Sequence, residues 1–157
     1  MSTTLRRAVD PDSDGIIALI EACYREYPPN ILDVDGEEPE LRTPAQSFPA
    51  FWVVEDAQKR IVGCIAVQMR VPELRVELKK CYVHRSQRGL GLGRQLVERV
   101  EEWARAHACA EVELWTDTRF HLAHRVYQVL GYQPSGRTRD LLDLSETTEF
   151  HFLKRLA

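Results

Sequence analysis

The chain has 157 residues, 44% hydrophobic and 29% charged, with 8 glycines and 8 prolines, a composition that excludes disordered, collagen-like and disulfide-rich secreted classes. Lysines and arginines number 21 against 24 aspartates and glutamates, a net charge of −3, so no overall attraction to nucleic acid or to an anionic membrane is indicated. The longest apolar runs, 15–20 and 61–67, fall far short of the ~20 residues that span a bilayer, and the start Met1-Ser-Thr-Thr-Leu-Arg-Arg-Ala8 lacks the apolar core of a secretion signal, which gives the cytosol as the expected location.

Residues 3–8 can form a short strand, after which Asp10 caps and Pro11 opens a helix carrying Ile16, Ile17, Leu19, Ile20 and Cys23. Tyr27-Pro28-Pro29 stops it. Between 30 and 50, Asp33, Asp35, Glu37, Glu38 and Glu40 stand against the single basic Arg42, with Pro39, Pro44 and Pro49 interrupting, so a loop with at most a short helix is expected. Residues 51–55 and 61–69 read as two strands around the turn 56–60, and the unbroken apolar run 61–67 is that of a strand covered on both faces. Residues 76–84 form another strand. After a turn at 85–89, a helix begins near Gly91, with Leu92, Leu96, Val100 and Trp103 at helical spacing and His107 next in the series. A short strand at 111–116 leads to a helix at 121–130, whose stripe Ala123, Val126, Tyr127 and Leu130 ends at Gly131 as a left-handed cap. Strands at 136–142 and 147–156 close the chain. Without an internal repeat or a linker, residues 1–157 are expected to form one α/β (α+β) domain, a mixed and mostly antiparallel sheet with helices on both faces.

Chemistry concentrates in Val83-His-Arg-Ser-Gln-Arg-Gly-Leu-Gly-Leu-Gly-Arg94, where three glycines alternate with bulky residues between a strand and an amphipathic helix. Glycine tolerates positive φ and adds no Cβ, so the N–H groups of 89–94 can turn towards one point, beside the partial positive charge of a helix start. The matching ligand is a phosphate or pyrophosphate. Gly89, Gly91 and Gly93 miss the Gly-x-Gly-x-x-Gly spacing of dinucleotide-binding folds, and Arg94-Gln95 stands where a P-loop needs Lys-Ser/Thr. A ligand-free connection would not require three alternating glycines, whose ordering costs entropy.

Arg88-x-x-Gly91-x-Gly93 has the form Arg/Gln-x-x-Gly-x-Gly/Ala and resembles the acyl-CoA pyrophosphate loop of the GNAT superfamily of N-acyltransferases. Glu77-Leu-Lys-Lys-Cys-Tyr-Val-His84 is similar to that family's fourth strand, and Ala123-His-Arg-Val-Tyr127-Gln-Val-Leu-Gly-Tyr132 to its Ala-x-x-x-Tyr-x-x-x-Gly-Phe/Tyr signature. The likeness runs from about Leu5 to Leu156, with its specific motifs within 77–132. It implies acetyl-CoA as co-substrate, held by the main chain of Cys81, Tyr82 and Val83 and by Arg88, Gly89, Leu90, Gly91, Leu92, Gly93 and Arg94. The implied reaction is acetyl transfer to a primary amine, on a small molecule or an exposed amino group.

A lysine-like amine has a pKa near 10.4, so its neutral form at pH 7 costs about 4–5 kcal/mol and a base is useful. Strand alternation puts Glu77 on one face with Lys79, Cys81 and Val83, and the resemblance puts a carboxylate at this position; an ion pair of purely structural role is the alternative. Tyr127 is by resemblance the general acid that protonates the departing thiolate, against the alternative of a core aromatic on an apolar stripe. Cys81 could suggest a covalent acyl-enzyme, but no activating base marks it, so direct attack is expected. Phe120 stands where many family members have an asparagine that binds pantetheine, leaving Thr118 or Arg119 as substitutes.

Cys23, Cys64, Cys81 and Cys109 lack Cys-x-x-Cys spacing and read as reduced, mostly buried small hydrophobes, and the pair His121 and His124 has no third ligand in view, so no metal is expected. The acidic run 33–40 either steers a cationic amine or is a solvated loop. A CoA-binding sensor without turnover, or an interaction module on the same fold, is the alternative to an enzyme. A homodimer is the prior expectation among homo-oligomers.

Overall fold

The structure, a computed structural model describing residues 2–157, is organised around one seven-stranded sheet. Strand β1 (Thr4–Arg7) is followed by helix α1 (Ser13–Tyr24), short helices α2 (Val34–Glu37) and α3 (Pro44–Ser47), and strands β2 (Ala50–Glu55), β3 (Ile61–Arg70) and β4 (Arg75–Val83). Helix α4 (Leu92–Ala106), strand β5 (Glu111–Asp117), helix α5 (His121–Val129) and strands β6 (Gln133–Asp140) and β7 (Thr148–Arg155) complete it. The sheet order is β1-β2-β3-β4-β5-β7-β6. Every neighbouring pair is antiparallel except β4 and β5, which α4 joins as a crossover. The expected mixed, mostly antiparallel sheet with helices on both faces is the observed one.

The two faces carry separate cores. Leu96, Val97, Val100 and Ala104 of α4 and Tyr127 of α5 pack with Ile65, Val67, Val76, Leu78, Val112 and Leu114. Ile16, Leu19, Ile20 and Cys23 of α1 pack on the opposite face with Val53, Cys64, Ala66 and the loop residues Leu41 and Phe48. Alternate residues of β3 therefore enter different cores, which is why 61–67 is apolar without interruption.

Three local expectations are corrected. Asp10 does not cap α1: Asp10–Asp12 form a 3₁₀ turn ahead of the helix, and the Asp10 carboxylate instead accepts from Ala45 N at 2.9 Å in α3. The 30–50 segment, expected as a loop with a short helix at most, holds two short helices and a 3₁₀ turn at Pro39–Arg42. Strand β6 begins at Gln133, before the expected Gly136, because the β6–β7 register shifts between Pro134 and Thr138 with Gly136 at φ +87°; on an edge strand the missing N–H of Pro134 is tolerated. Among the described residues no helix is long and apolar enough to cross a membrane.

Candidate active site

The site opens where the sheet splits. Pairing of β4 with β5 runs from Arg75 opposite Glu111 to Leu78 opposite Leu114 and then ends. On its other side β4 carries one extra residue relative to β3: Ala66 pairs with Lys79 and Cys64 with Tyr82, leaving Lys80 and Cys81 against Ile65 alone. Lys80 sits at the left-handed φ of 54° that this bulge requires. The extra residue breaks the alternation that was expected to put Glu77, Lys79, Cys81 and Val83 on one face. Cys81 and Val83 join the core beneath α4 and α5 with Leu78, whereas Tyr82 packs on the α1 side, where Lys80 is bonded to Glu38 and lies 3.3 Å from Glu40.

Two cavities meet at the split. The larger, about 570 Å³, is lined by Cys81, Tyr82, Val83, Arg88, Gly89, Gly91, Leu92, Gly93 and Arg94 on one side and by Leu122, Val126, Tyr127, Val129 and Leu130 on the other. Leu122, Val126 and Val129 are exposed, so this wall is apolar surface without a protein partner. The smaller cavity, about 110 Å³, lies on the far side of the split, between β4 and β5, the α1–α2 segment and the β6–β7 loop. Cys81, Tyr82, Phe120, Ala123 and Tyr127 line both.

In the larger cavity the main chain supplies the polar groups. Gly89 and Gly91 have φ of 81° and 84°, and a Cβ built on either would meet nothing within 4 Å. Backbone conformation, not crowding, demands glycine at these two positions. Gly91 is the N-cap of α4 and gives no side-chain hydrogen bond, so the first amides of a 15-residue helix are left for another acceptor. Leu90 is the exception among the expected cofactor-binding residues: it is 67% exposed and does not line the cleft. Arg88 is already engaged, donating to both carboxylate oxygens of Glu26 at 2.6 and 2.7 Å and to the Val83 carbonyl at 3.2 Å. That contact holds the Glu26 carboxyl below its ordinary range.

At the junction, Tyr127 is 5% exposed and its hydroxyl lies beside the Cys81 thiol. Burial, reinforced by Cys81, keeps this phenol well above the ordinary tyrosine range, so it holds its proton at any working pH. Burial also pushes the Cys81 thiol up to about 11, which leaves it protonated at neutral pH and a poor nucleophile. Phe120 packs 5.0 Å from the Tyr27 ring and lines both cavities as an aromatic wall. Arg119 does not stand in for the absent asparagine: its guanidinium is held by Asp117 at 2.9 and 3.0 Å and by Thr147.

Glu77 lies elsewhere. It is 2% exposed, sealed by an ion pair with Arg70, and lines neither cavity. The charged groups that do line the smaller cavity are Glu37, Glu38, Lys79, Lys80, Asp117, Asp143 and Glu149. Most are partnered. Glu38 meets Lys80, Asp117 meets Arg119, and Asp143 accepts from Thr147 N and Oγ1 at 2.8 and 2.7 Å. Lys79 has no carboxylate within 4 Å among the described residues. Asn30 donates to Asp117 at 3.4 Å while its own Oδ1 is buried without a partner. Of the acidic run, Glu37 and Glu38 face this cavity, whereas Asp33 caps α2 and Asp35 pairs with Arg42 at the surface. Sequence reasoning missed Asn30, Asp117 and Glu149, which come together only through the fold; the one local signal was Glu149 within the alternating strand Thr147-Thr-Glu-Phe-His-Phe152.

Comparison with known proteins adds to this geometry. The model of the acetyltransferase (GNAT) family matches residues 16–132. The chain is 36% identical over 90 residues to N-acetylaspartate synthetase of Danio rerio, covering 57% of this chain and 32% of that protein. It is 33% identical over 86 residues to N-acetylaspartate synthetase of Rattus norvegicus, covering 55% and 28%. The chain thus spans about a third of the length of these curated relatives. Among solved structures, a GNAT-family acetyltransferase from Staphylococcus aureus Mu50 superposes with a TM-score of 0.84 at 20% identity, over 99% of this chain and 100% of that one. The PaiA N-acetyltransferase of Thermoplasma acidophilum in complex with coenzyme A superposes with 0.72 at 16% identity, over 99% of each. At these identities the likeness is one of fold.

Proposed function

Given that the chain belongs to the acetyltransferase (GNAT) family, we propose that it moves an acetyl group from acetyl-CoA directly to the amine of a small acceptor. The observation that carries this reading is the meeting of two cavities at Cys81 and Tyr127, one backed by uncapped helix amides and the other by charged side chains. Bound acetyl-CoA supplies an activated thioester acetyl group. The amides of 89–94 hold its diphosphate at the start of α4, with Arg94 alongside and Arg88 once released from Glu26. The main chain of 81–83, freed from β5 by the split, lies along the pantetheine arm, and the apolar wall of α5 covers that arm. Tyr127 keeps a proton at the junction and delivers it to the departing sulfur. The protonated state of Cys81 supports direct attack by the amine rather than a covalent acyl-enzyme.

The acceptor in this proposal is a small amine that also carries a carboxylate, as an amino acid does. Two observations support it: Lys79 lines the smaller cavity without a carboxylate partner, and the curated relatives are named for the synthesis of N-acetylaspartate. The small volume of the cavity favours a free small molecule over a folded protein's amino group. The test is a panel of amines scored for CoA release from acetyl-CoA, with each amino acid matched to the amine that lacks its carboxylate. Faster turnover of the carboxylate-bearing member of each pair is expected; equal rates would remove Lys79 from the assignment.

A further inference from the structure

Three carboxylates that line the smaller cavity, Glu37, Glu38 and Glu149, keep one oxygen without a hydrogen bond among the described residues, and of these three Glu149 alone stands on a strand of the sheet, opposite Asp117. Glu149 on β7 stands opposite Asp117 of β5 and Arg139 of β6. Arg139 Nε donates to its Oε1 at 2.8 Å, and Nη2 lies 2.7 Å from that same oxygen. No hydrogen bond from the described residues reaches Oε2. Arg139 is itself fixed, its guanidinium 4.3 Å above the ring of Trp115, which also lines the cavity. The Glu149 side chain is 15% exposed, so it is held in place yet open on the cavity side. Asp117 and Asp143, by contrast, have both oxygens occupied.

Resting on the acetyl-transfer reading above, we propose that Glu149, and not Glu77, takes the proton from the acceptor's ammonium. Oε2 receives one N–H proton, and the freed nitrogen lone pair forms the bond to the acetyl carbon. The carbon–sulfur bond then breaks with its electron pair on sulfur, where the Tyr127 proton joins it. The nitrogen's second proton restores Tyr127, and Glu149 releases its proton to water, so the products are the amide, the free thiol and one proton. Asn30 Oδ1, buried and unpartnered in the same cavity, is a second acceptor for the ammonium. The charged groups around Glu149 are Arg139 on β6, Asp117 on β5, Glu77, Lys79 and Lys80 on β4, Asp143 beyond β6, and Glu37 and Glu38 from the α2 segment. Burial pushes the Glu149 carboxyl up, Arg139 opposes this, and Glu77 and Asp117 add to the rise.

The test measures kcat against pH at saturating acetyl-CoA and amine for the natural chain, Glu149→Gln and Glu77→Gln, with acetyl-CoA affinity measured by calorimetry. The natural chain should show an acid limb above 4.5, the ordinary value for a glutamate. Glu149→Gln should retain acetyl-CoA affinity, lose kcat by about 10²–10⁴-fold and lose the limb. Glu77→Gln should keep the limb but move it to lower pH, since a neighbouring negative charge is gone. A limb that survives in Glu149→Gln, or disappears in Glu77→Gln alone, overturns the assignment. So does a limb at or below 4.5 in the natural chain, a result that needs no variant to fold. A natural chain that binds acetyl-CoA but releases CoA with no amine overturns the transfer reading itself, and the assignment with it.

Discussion

The two cavities that share Cys81 and Tyr127 are made of different material. The larger is built from main chain: two left-handed glycines, the uncapped amides of α4 and the edge of β4, with side chains contributing an apolar wall. The smaller is built from side chains delivered by four separate segments: Glu37, Asp117 and Glu149, held by Leu144 N, Arg119 and Arg139, and Lys79, which has no carboxylate partner among the described residues. A main-chain site presents the same donors whatever the residue types around it, so it suits a ligand common to a whole family. A side-chain site can be rewritten one residue at a time, so it suits the part that differs between members.

The sharpest test of this division falls on the residue that both sides share. Tyr127→Phe removes the proton destined for sulfur while leaving the ring that packs against Phe152 and Tyr132. Turnover should fall by about 10²–10⁴-fold, with acetyl-CoA affinity unchanged by calorimetry. Because the phenol stays protonated far above neutrality, the natural chain should show no loss of activity from this group up to pH 9. Next in size is Gly91→Asp, aimed at the main-chain side alone. The φ of 84° disfavours a side chain there, and the new carboxylate would occupy the amides intended for the diphosphate. The acetyl-CoA Kd should rise by about ten- to a hundredfold, or about 1.4–2.8 kcal/mol, while the fold persists by circular dichroism. A variant that binds normally would remove the α4 amides from the site.

The division also explains what could be read in advance. Glycine marks the two left-handed positions of the loop, Gly89 and Gly91, and with Gly93 in the first turn of α4 it was visible as a spacing, as the stripe on α5 was visible as a period. The bulge at Lys80 was not, because Lys79-Lys80-Cys81 has no glycine or proline to mark an extra residue. Its single-residue shift moves Cys81 to the opposite face from Glu77, and that alternation was one of the two grounds, beside the family resemblance, for assigning Glu77 to the cleft. Asn30 and Asp117 are 87 residues apart, and no periodicity encodes the meeting of the segment after α1 with the end of β5.

On the side-chain half, Lys79→Met is the cleanest probe, since Lys79 has no ion pair among the described residues whose loss would cloud the result. The KM for an acceptor bearing a carboxylate should rise by about tenfold, the low end of a charge-assisted contact. The KM for the matched amine without a carboxylate, and that for acetyl-CoA, should not move. Equal changes for both acceptors would mean that Lys79 acts on the shape of the cavity and not on substrate charge.

The smallest effect tests whether the two halves are as independent as their materials suggest. Arg88 of the glycine loop is tied to Glu26, just beyond α1, so a side-chain ion pair restrains a main-chain site. Glu26→Gln leaves a neutral partner of the same size and frees the guanidinium for the diphosphate. An exposed pair of this kind is worth about 0.2–1 kcal/mol, so acetyl-CoA should bind up to about fivefold tighter, with kcat unchanged. The same pair predicts a pH dependence of stability. The Glu26 carboxyl is lowered in the folded chain from its ordinary 4.5, so its contribution is fully present above that value and is lost as pH falls through the lower folded value. Thermal unfolding of the natural chain and of Glu26→Gln should therefore differ at pH 6 and converge towards pH 3. Weaker acetyl-CoA binding in the variant would reverse the sense of the contact, making Glu26 the residue that holds Arg88 in its binding position.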